Sequence, residues 1–538
     1  MKKTKEQKIE FNSEKTKEQK IELNSEKTKE QKIEISSKKI KETNIELKEV
    51  NEEHQKRPKL PLLAQPKKVN DYSYIIEKTK NMNVPVKIFA SEKLMKKMQE
   101  DNCLQQGINV SMLPGIKGAS IMMPDAHQGY GFSIGGVAAF DHKCGCISPG
   151  GIGYDINCGV RLLTTNLTKD DLKEKIKPLL NSLFKNIPPG VGGTSLFKLD
   201  EKELDEVLKN GPIWAINKGY GVEDDLLNCE SNGKLESANP LKVSQKAKSR
   251  GKSQLGTLGS GNHFLEIQYV QEIFDKKIAK TFGITKENQV VVLIHSGSRG
   301  LGHQVCSDYL RLMEDQFPEI MAKLPEKSLI YAPAESQVAK DYFSAMCAAA
   351  NFAWTNRQLI THQTRKSFNE LFGDKIKLNV VYDVAHNIAK LEEHLIDGKK
   401  EKVWVHRKGA TRAFGPNNPE LPEKYQKTGQ PIFIPGSMGT SSYVLVGTKR
   451  AMLESFGSTA HGAGRMMSRH SAIEKWNGQQ LKDDLEKENI YIKASSIKGL
   501  SEEAPLAYKD VDEVVKVSDD AGIGKLVARL KPMGVVKG

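Results

Sequence analysis

One arrangement recurs along most of this chain and limits what it can fold into: a short apolar, β-branched run followed by a glycine-rich loop bearing a polar side chain. "VVVLIHSGSRG" (290–300) delivers His295, "LNVVYDVAHN" (378–387) delivers Asp383 and His386, and "KVWVHRKGATR" (402–412) delivers His406 and Arg407. "PIFIPGSMGTSSYVLVG" (431–447) reads as strand, glycine–serine loop, strand. Such runs are the signature of buried strands, and loops after strands are where chemistry concentrates. Helical patterns interleave over 168–186, 200–210, 303–324 and 335–371. The mixture predicts a mixed α/β (α+β) body with a central sheet system and surrounding helices. No linker rich in Pro, Gly or Ser divides the sequence beyond residue 70, so 71–538 reads as one large catalytic unit.

The first residues differ in kind. A 12-residue unit repeats as "KTKEQKIEFNSE" (3–14), "KTKEQKIELNSE" (15–26) and "KTKEQKIEISSK" (27–38), with a decayed fourth copy. Each copy offers two large apolar residues, too few to offset the entropy of ordering the others. Residues 1–70 are therefore expected to be a disordered, low-complexity extension. Residues 1–60 carry 17 Lys+Arg and 13 Asp+Glu, a net of +4, so +10 of the chain's +14 belongs to the body. That excess suits an anionic partner such as nucleic acid, although it would serve solubility equally well.

Seven scattered cysteines (103, 144, 146, 158, 229, 306 and 347) argue for a reducing compartment and against a disulfide framework. "MKKTKEQKIE" has no apolar signal core and no run of 18 apolar residues occurs. The expectation is a soluble intracellular protein, in cytoplasm or nucleus, without a membrane partner.

The chemistry begins at "GYDINCGVR" (153–161), which sets Asp155, Asn157 and Cys158 between Gly153 and Gly159. "GSGNHFLE" adds Asn262 and His263, and the strand ends above add His295 and His386. A carboxylate, a thiol and several imidazoles, all on turns, form a ligand inventory for one or two divalent cations. Oxygen and nitrogen donors suit manganese, whereas the thiolate suits zinc or cobalt. Alternatively, each histidine is a packed, hydrogen-bonded strand-end residue, and spacing alone does not separate the two readings.

In "STAHGAGRMMSR" (458–469), small neighbours leave His461 open to a bulky electrophile, and Arg465 and Arg469 would share a face if the segment is helical. Guanidinium forks match phosphate oxygens, and a neutral imidazole can attack phosphorus. "PGSMGTSS" (435–442) offers Ser437, Ser442 and backbone N–H groups as a phosphate or base cradle. Val535 and Val536 before Lys537 suggest that the tail is tucked in. The G-x-x-x-x-G-K-[ST] loop is absent, which excludes a P-loop enzyme; the K-x-D-G signature of lysine nucleotidyl ligases is absent too.

Taken together, "SPGGIGYDINCGVRLL", "QLGTLGSGNHFLEIQ", "LIHSGSRGLGHQV", "YDVAHNIAK", "VHRKGATRAFGP", "GSMGTSSYVLVG" and "STAHGAGR" closely resemble the RtcB family of RNA-splicing ligases, in the family's order and from about residue 75 onward. "PDAHQGYGFSIGGVAAFD" looks like the archaeal–eukaryotic branch, whose eukaryotic members are catalytic subunits of a tRNA-splicing ligase complex. The resemblance implies a GTP-dependent enzyme with two manganese ions. It joins RNA 3′-phosphate or 2′,3′-cyclic phosphate ends, such as those of tRNA exon halves, to 5′-hydroxyl ends. Asp155, Cys158 and His263 would hold one ion, and Cys158, His295 and His386 the other. His461 would take GMP from GTP and pass it to the RNA 3′-phosphate. Asn262, Glu266, Ser437, Ser442, Arg465, Tyr508 and Lys537 would line the guanylate pocket, and Asp125 would support the reaction with RNA. Archease and other complex subunits are implied partners. Ala460 stands where many relatives have Cys, at a position with no ligand role. The alternative is a two-metal phosphodiesterase or cyclic phosphatase that does not ligate.

Overall fold

The computed structural model describes residues 65–538; the 12-residue repeats lie outside them. Two large sheets dominate. The first runs in the spatial order Lys67–Asn70, Ser73–Ile76, Val86–Phe89, Ile116–His127, Ile134–Asp141, Lys399–Lys408, Asn387–Ile396. The second runs Leu378–Ala385, Gly159–Thr168, Gln289–Ser296, Phe264–Ile273, Lys525–Lys537, Ser442–Val446, Pro431–Ile434, with Tyr491–Ala494 added in parallel to Lys525–Lys537. Apart from that pair and the parallel pairing of Val86–Phe89 with Ile116–His127, strand neighbours in both sheets are antiparallel. The expected mixed α/β architecture is what the chain adopts, its sheet system divided in two. His386 is the single residue between Leu378–Ala385 of one sheet and Asn387–Ile396 of the other.

The strands at the middle of the second sheet, such as Gln289–Ser296, are buried along their whole length. That explains why they read as continuous apolar runs rather than alternating ones. The expected strands at 290–296, 378–385 and 431–446 form at those places. The longest helix, Gln337–Phe372, is buried on every side from Ala345 to Thr361. A helix enclosed all round must satisfy its polar residues internally. Here Asn351, Asn356 and Arg357 bond to loops or strands packed around it, and Gln358 to Asp225 on the short helix Glu223–Leu227.

The helix expected over 303–324 starts earlier, at Arg299, and stops at Gln316; a separate short turn covers Pro318–Met321. Pro318 lacks an N–H and pushes Phe317 out of the helical region, to φ −126 and ψ 54. His406 and Arg407 also depart from expectation, since both are fully buried in the strand Lys399–Lys408 rather than presented on a loop. His406 Nε2 accepts the Ser148 backbone N–H at 3.3 Å, and Arg407 grips Glu392 through both terminal nitrogens at 2.6 and 2.9 Å. The tail is tucked in as expected, with Val535 and Val536 fully buried.

Phe140 lies in the first sheet, fully buried and edge-on to His406 with ring centroids 5.1 Å apart. Phe140→Ala is expected to cost ~3–5 kcal/mol through lost burial and a residual cavity. Denaturant titration of the full chain should show this as a lowered midpoint; an unchanged midpoint would mean that the region relaxes into the space.

Candidate metal and nucleotide site

The loop Gly153–Gly159 turns on Asn157, whose backbone is left-handed at φ 52. Asparagine tolerates that region better than most residues. The reversal sends the Asn157 side chain into the core, where it donates to the Ala350 carbonyl at 2.7 Å and accepts from Arg357 Nη2 at 3.0 Å. Asp155 and Cys158 are left facing the imidazoles of His263 and His295. Of the loop's three polar side chains, Asn157 is thus an anchor.

Four chain segments meet there. Cys158 Sγ lies 3.4 Å from His263 Nε2 and 3.2 Å from His295 Nε2. His295 Nε2 is 3.4 Å from His386 Nε2, and Asp155 Oδ2 is 2.8 Å from His263 Nε2. Two groups that could hold a metal ion result, Asp155–Cys158–His263 and Cys158–His295–His386, and they share one sulfur. Their membership is the division that the sequence resemblance implied. Burial, reinforced by the neighbouring imidazoles, holds His295 and His386 well below the usual histidine range, so both rings are neutral and their lone pairs available. Burial raises the Cys158 thiol well above its ordinary value, and Asp155 raises it further. Burial also opposes ionisation of Asp155, but His263 beside it outweighs this and holds the carboxyl low. A buried cluster of neutral imidazoles, carboxylate and thiol with nitrogens aimed at one another is short of positive charge, and divalent cations fit this donor set.

Arg357 fixes the cluster from behind. Its Nη1 donates to the carbonyls of Asn157 and Ser296, both at 2.8 Å; Asn157 directly precedes Cys158 and Ser296 directly follows His295. Its Nε and Nη2 hold the Asp383 carboxylate at 2.8–3.1 Å, three residues before His386. Arg161 grips Asp383 from the other side at 2.7 Å. Gly297 completes the packing, because a Cβ there would sit 2.5 Å from the Asp155 carboxylate.

His461 stands next to this cluster, its ring centroid 4.8 Å from that of His386. Asp125, at 0% exposure, accepts three hydrogen bonds through Oδ2: from the His461 N–H at 3.0 Å, the Gly462 N–H at 3.3 Å and His461 Nδ1 at 2.6 Å. An oxygen that accepts at Nδ1 places the ring proton there and leaves the lone pair on Nε2. Gly464, at φ +75, must be glycine, since a Cβ would lie 2.2 Å from the Asp125 carbonyl oxygen.

A cavity of about 290 Å³ opens from His461, and its walls include Asn262, Glu266, Ser437, Arg465, Tyr508 and Lys537. Ser442 stands behind the wall, where its Oγ accepts from Gln268 Nε2 at 3.0 Å and from the Gly436 N–H at 3.2 Å. Burial lifts the Glu266 carboxyl to about 7, and Gln268 Nε2 donates to it at 2.6 Å. Arg465 and Arg469 do not share a helix; the helix begins at Arg469. They converge instead on Glu503 Oε1, at 3.2 and 3.5 Å, while Lys537 at 3.7 Å and the Tyr508 hydroxyl approach its other oxygen, Oε2. The sequence "SEEAP" gives no sign of this role, because in isolation it is an acidic surface turn. Lys408 also lines the cavity, its amine held by the Tyr130 and Gly150 carbonyls and brought by burial to about 7.

Fold and site together define an α/β protein with two side-chain groups able to hold metal ions beside a nucleotide-sized pocket. The family model described as tRNA-splicing ligase RtcB matches residues 106–538. The tRNA-splicing ligase RtcB of Thermococcus kodakarensis is 56% identical over 462 residues, spanning 85% of this chain and 96% of that protein. That of Pyrobaculum aerophilum is 54% identical over 477 residues, 88% of this chain and 99% of that protein. That of Archaeoglobus fulgidus is 53% identical over 477 residues, 88% and 98%. The chain belongs to the RtcB family. Among the described residues no helix is long and apolar enough to cross a membrane, and all seven cysteines are free.

Replacing Arg357 should loosen the ligand set without touching it. In Arg357→Ala, titration with Co²⁺, followed by its thiolate absorption, is expected to give at least tenfold weaker binding, the usual scale for a lost outer partner. Wild-type affinity in that variant would show that the ligands hold their positions unaided.

Proposed function

We propose that this protein is an RNA ligase that uses GTP to join a 3′-phosphate or 2′,3′-cyclic phosphate end to a 5′-hydroxyl, with two manganese ions as cofactors and spliced tRNA halves as substrates. The observation that carries the reading is the 2.6 Å contact of His461 Nδ1 with Asp125 Oδ2, an oxygen that also accepts the His461 and Gly462 N–H groups. Asp125 holds the proton on Nδ1, so Nε2 faces the cavity as a nucleophile beside the ligand cluster. The relatives' shared name, tRNA-splicing ligase, supports the substrate class.

Asp155, Cys158 and His263 would hold one cation and Cys158, His295 and His386 the other. Bound there, the cations supply Lewis-acid stabilisation of charge developing on phosphate oxygens. His461 Nε2 attacks the α-phosphorus of GTP; the N–P bond forms as the bond to pyrophosphate breaks. Asp125 stabilises the imidazolium that develops on the ring. At a 2′,3′-cyclic phosphate end, water first cleaves the bond to O2′ and leaves a 3′-phosphate; the guanylate then passes from His461 to the RNA 3′-phosphate, and the 5′-hydroxyl displaces GMP. Glu266 offers a buried carboxylate to the N1–H and 2-amino donors of guanine, a pairing that other bases do not match. Arg465 and Lys537, with Tyr508 and Ser437, place positive charge and hydroxyls along the remaining wall. Asn262 projects from the same loop as His263 and would touch the phosphate end. The body's net charge of +10 suits the RNA.

Incubation with α-labelled GTP and manganese should leave acid-labile label on the wild type and none on His461→Ala. Equal labelling would refute the covalent step, and label-free RNA end processing would favour a phosphodiesterase. Cys158→Ala, which removes the sulfur shared by both groups, is expected to abolish labelling and lower bound metal measured by elemental analysis; full metal content would refute the shared ligand. Glu266 must be ionised to accept from guanine. GTP affinity should therefore fall as pH drops through about 7, and the slope should flatten in Glu266→Gln, as read by titration calorimetry. A pH-independent affinity in the wild type would place guanine elsewhere.

A further inference from the structure

A row of aromatic rings begins in the cavity wall and continues to the helix Arg299–Gln316. Tyr130 and Tyr154 line the cavity mouth together with His386 and His461. Their ring centroids are 5.6 Å apart at 58°, and Tyr154 continues to His303 at 6.1 Å and 29°, close to a stacked pair. Tyr130 is 37% exposed, Tyr154 half-buried and His303 exposed. Large rings left open at a cavity mouth gain little for the fold, which buries most of its other aromatics.

The row is firmly placed. The Lys408 amine ties the Tyr130 carbonyl to that of Gly150, and Tyr154 directly precedes Asp155. His303 occupies the second turn of the helix Arg299–Gln316, with the exposed Arg311 two turns beyond. Arg250 is exposed on the basic helix Gln245–Lys252 and donates to Gln304 at 3.0 Å. Glu314 is the acidic neighbour of the two tyrosines. Aromatic faces with flanking cations are what a single-stranded nucleic acid requires, since every base has a π-face and every linkage an anion.

Resting on the ligase reading above, we infer that Tyr130, Tyr154 and His303 form a stacking seat for an unpaired nucleotide near the RNA end being joined, with Arg250 and Arg311 along its phosphate path. The seat is distinct from the guanine pocket in its residues: it shares none of the groups assigned to guanine, and its rings offer a π-face rather than a base-edge acceptor. It is indifferent to base identity, as stacking is.

The test uses the full-length protein, manganese and a fluorescent single-stranded oligoribonucleotide ending in a 3′-phosphate, together with the same strand carrying an abasic terminal nucleotide. Tyr130→Leu and His303→Leu are the primary variants; Tyr154→Leu is paired with Tyr154→Phe because of its closeness to Asp155. For Tyr130→Leu, RNA Kd and the KM for ligation should rise about tenfold while guanylation from labelled GTP is maintained. Tyr154→Phe should bind as the wild type does. The abasic strand should bind the wild type about tenfold more weakly than the intact strand and show little further loss on Tyr130→Leu. Unchanged RNA affinity in both primary variants, or an abasic penalty of equal size in wild type and variant, would overturn the seat while leaving the ligase reading intact. A wild type that neither takes label from GTP nor joins RNA would overturn both.

Discussion

The site depends on one buried carboxylate. Asp383 is fully enclosed and carries two guanidinium groups, Arg161 and Arg357, neither of them exposed. Burial alone would lower the charge state of Arg357, but Asp383 beside it more than compensates. Such a cluster is weak evidence for net stability, because desolvating three charges consumes most of their attraction. Its value is geometric. Arg357 presents a rigid fork whose donors leave no freedom in the backbone at Asn157 and Ser296. Removing one partner strands the others in a dry interior, a loss of ~3–5 kcal/mol for comparable buried pairs. The charge cluster thus converts the helix Gln337–Phe372 into a template against which loops far apart in sequence are registered.

Around that template the cavity separates its tasks by environment. The donor set is held neutral or low in charge by burial on one side, whereas Glu503 gathers Arg465, Arg469 and Lys537 on the other. His461 lies between, with Asp125 deciding which nitrogen faces the cavity. Burial works against the charge of Lys537, and Glu503 opposes that effect. The same low-dielectric setting that penalises these groups makes their interaction with a phosphate stronger.

Much of this was legible in the sequence, for a local reason. Strand-then-glycine-loop segments carry their polar residue at a fixed point, so His263, His295, His386 and His461 could be picked out from neighbours a few positions away. The identity of the partners was not local. Glu503 looks solvated until Arg465 and Lys537 fold onto it, and Arg357 is one polar residue in an apolar helix whose role appears only when Asp383 and Asn157 arrive. His406 and Arg407 were misplaced because a strand that ends in "RKGA" looks the same whether its last side chains face a cavity or the core. Ser442 opens its strand behind the wall, with its Oγ engaged by Gln268 and the Gly436 N–H. The helix that broke at Phe317 had its cause in plain view, in the proline that follows.

His386 alone separates a strand of one large sheet from the next strand in the other, the shortest of the crossings between them, and it also belongs to the shared sulfur's cluster. Any shear between the sheets must therefore displace an imidazole that a cation would grip, and a gripped imidazole would resist shear. A cation bound at this crossing would act as a rivet, tying chelation chemistry to the mechanical stiffness of the joint between the sheets.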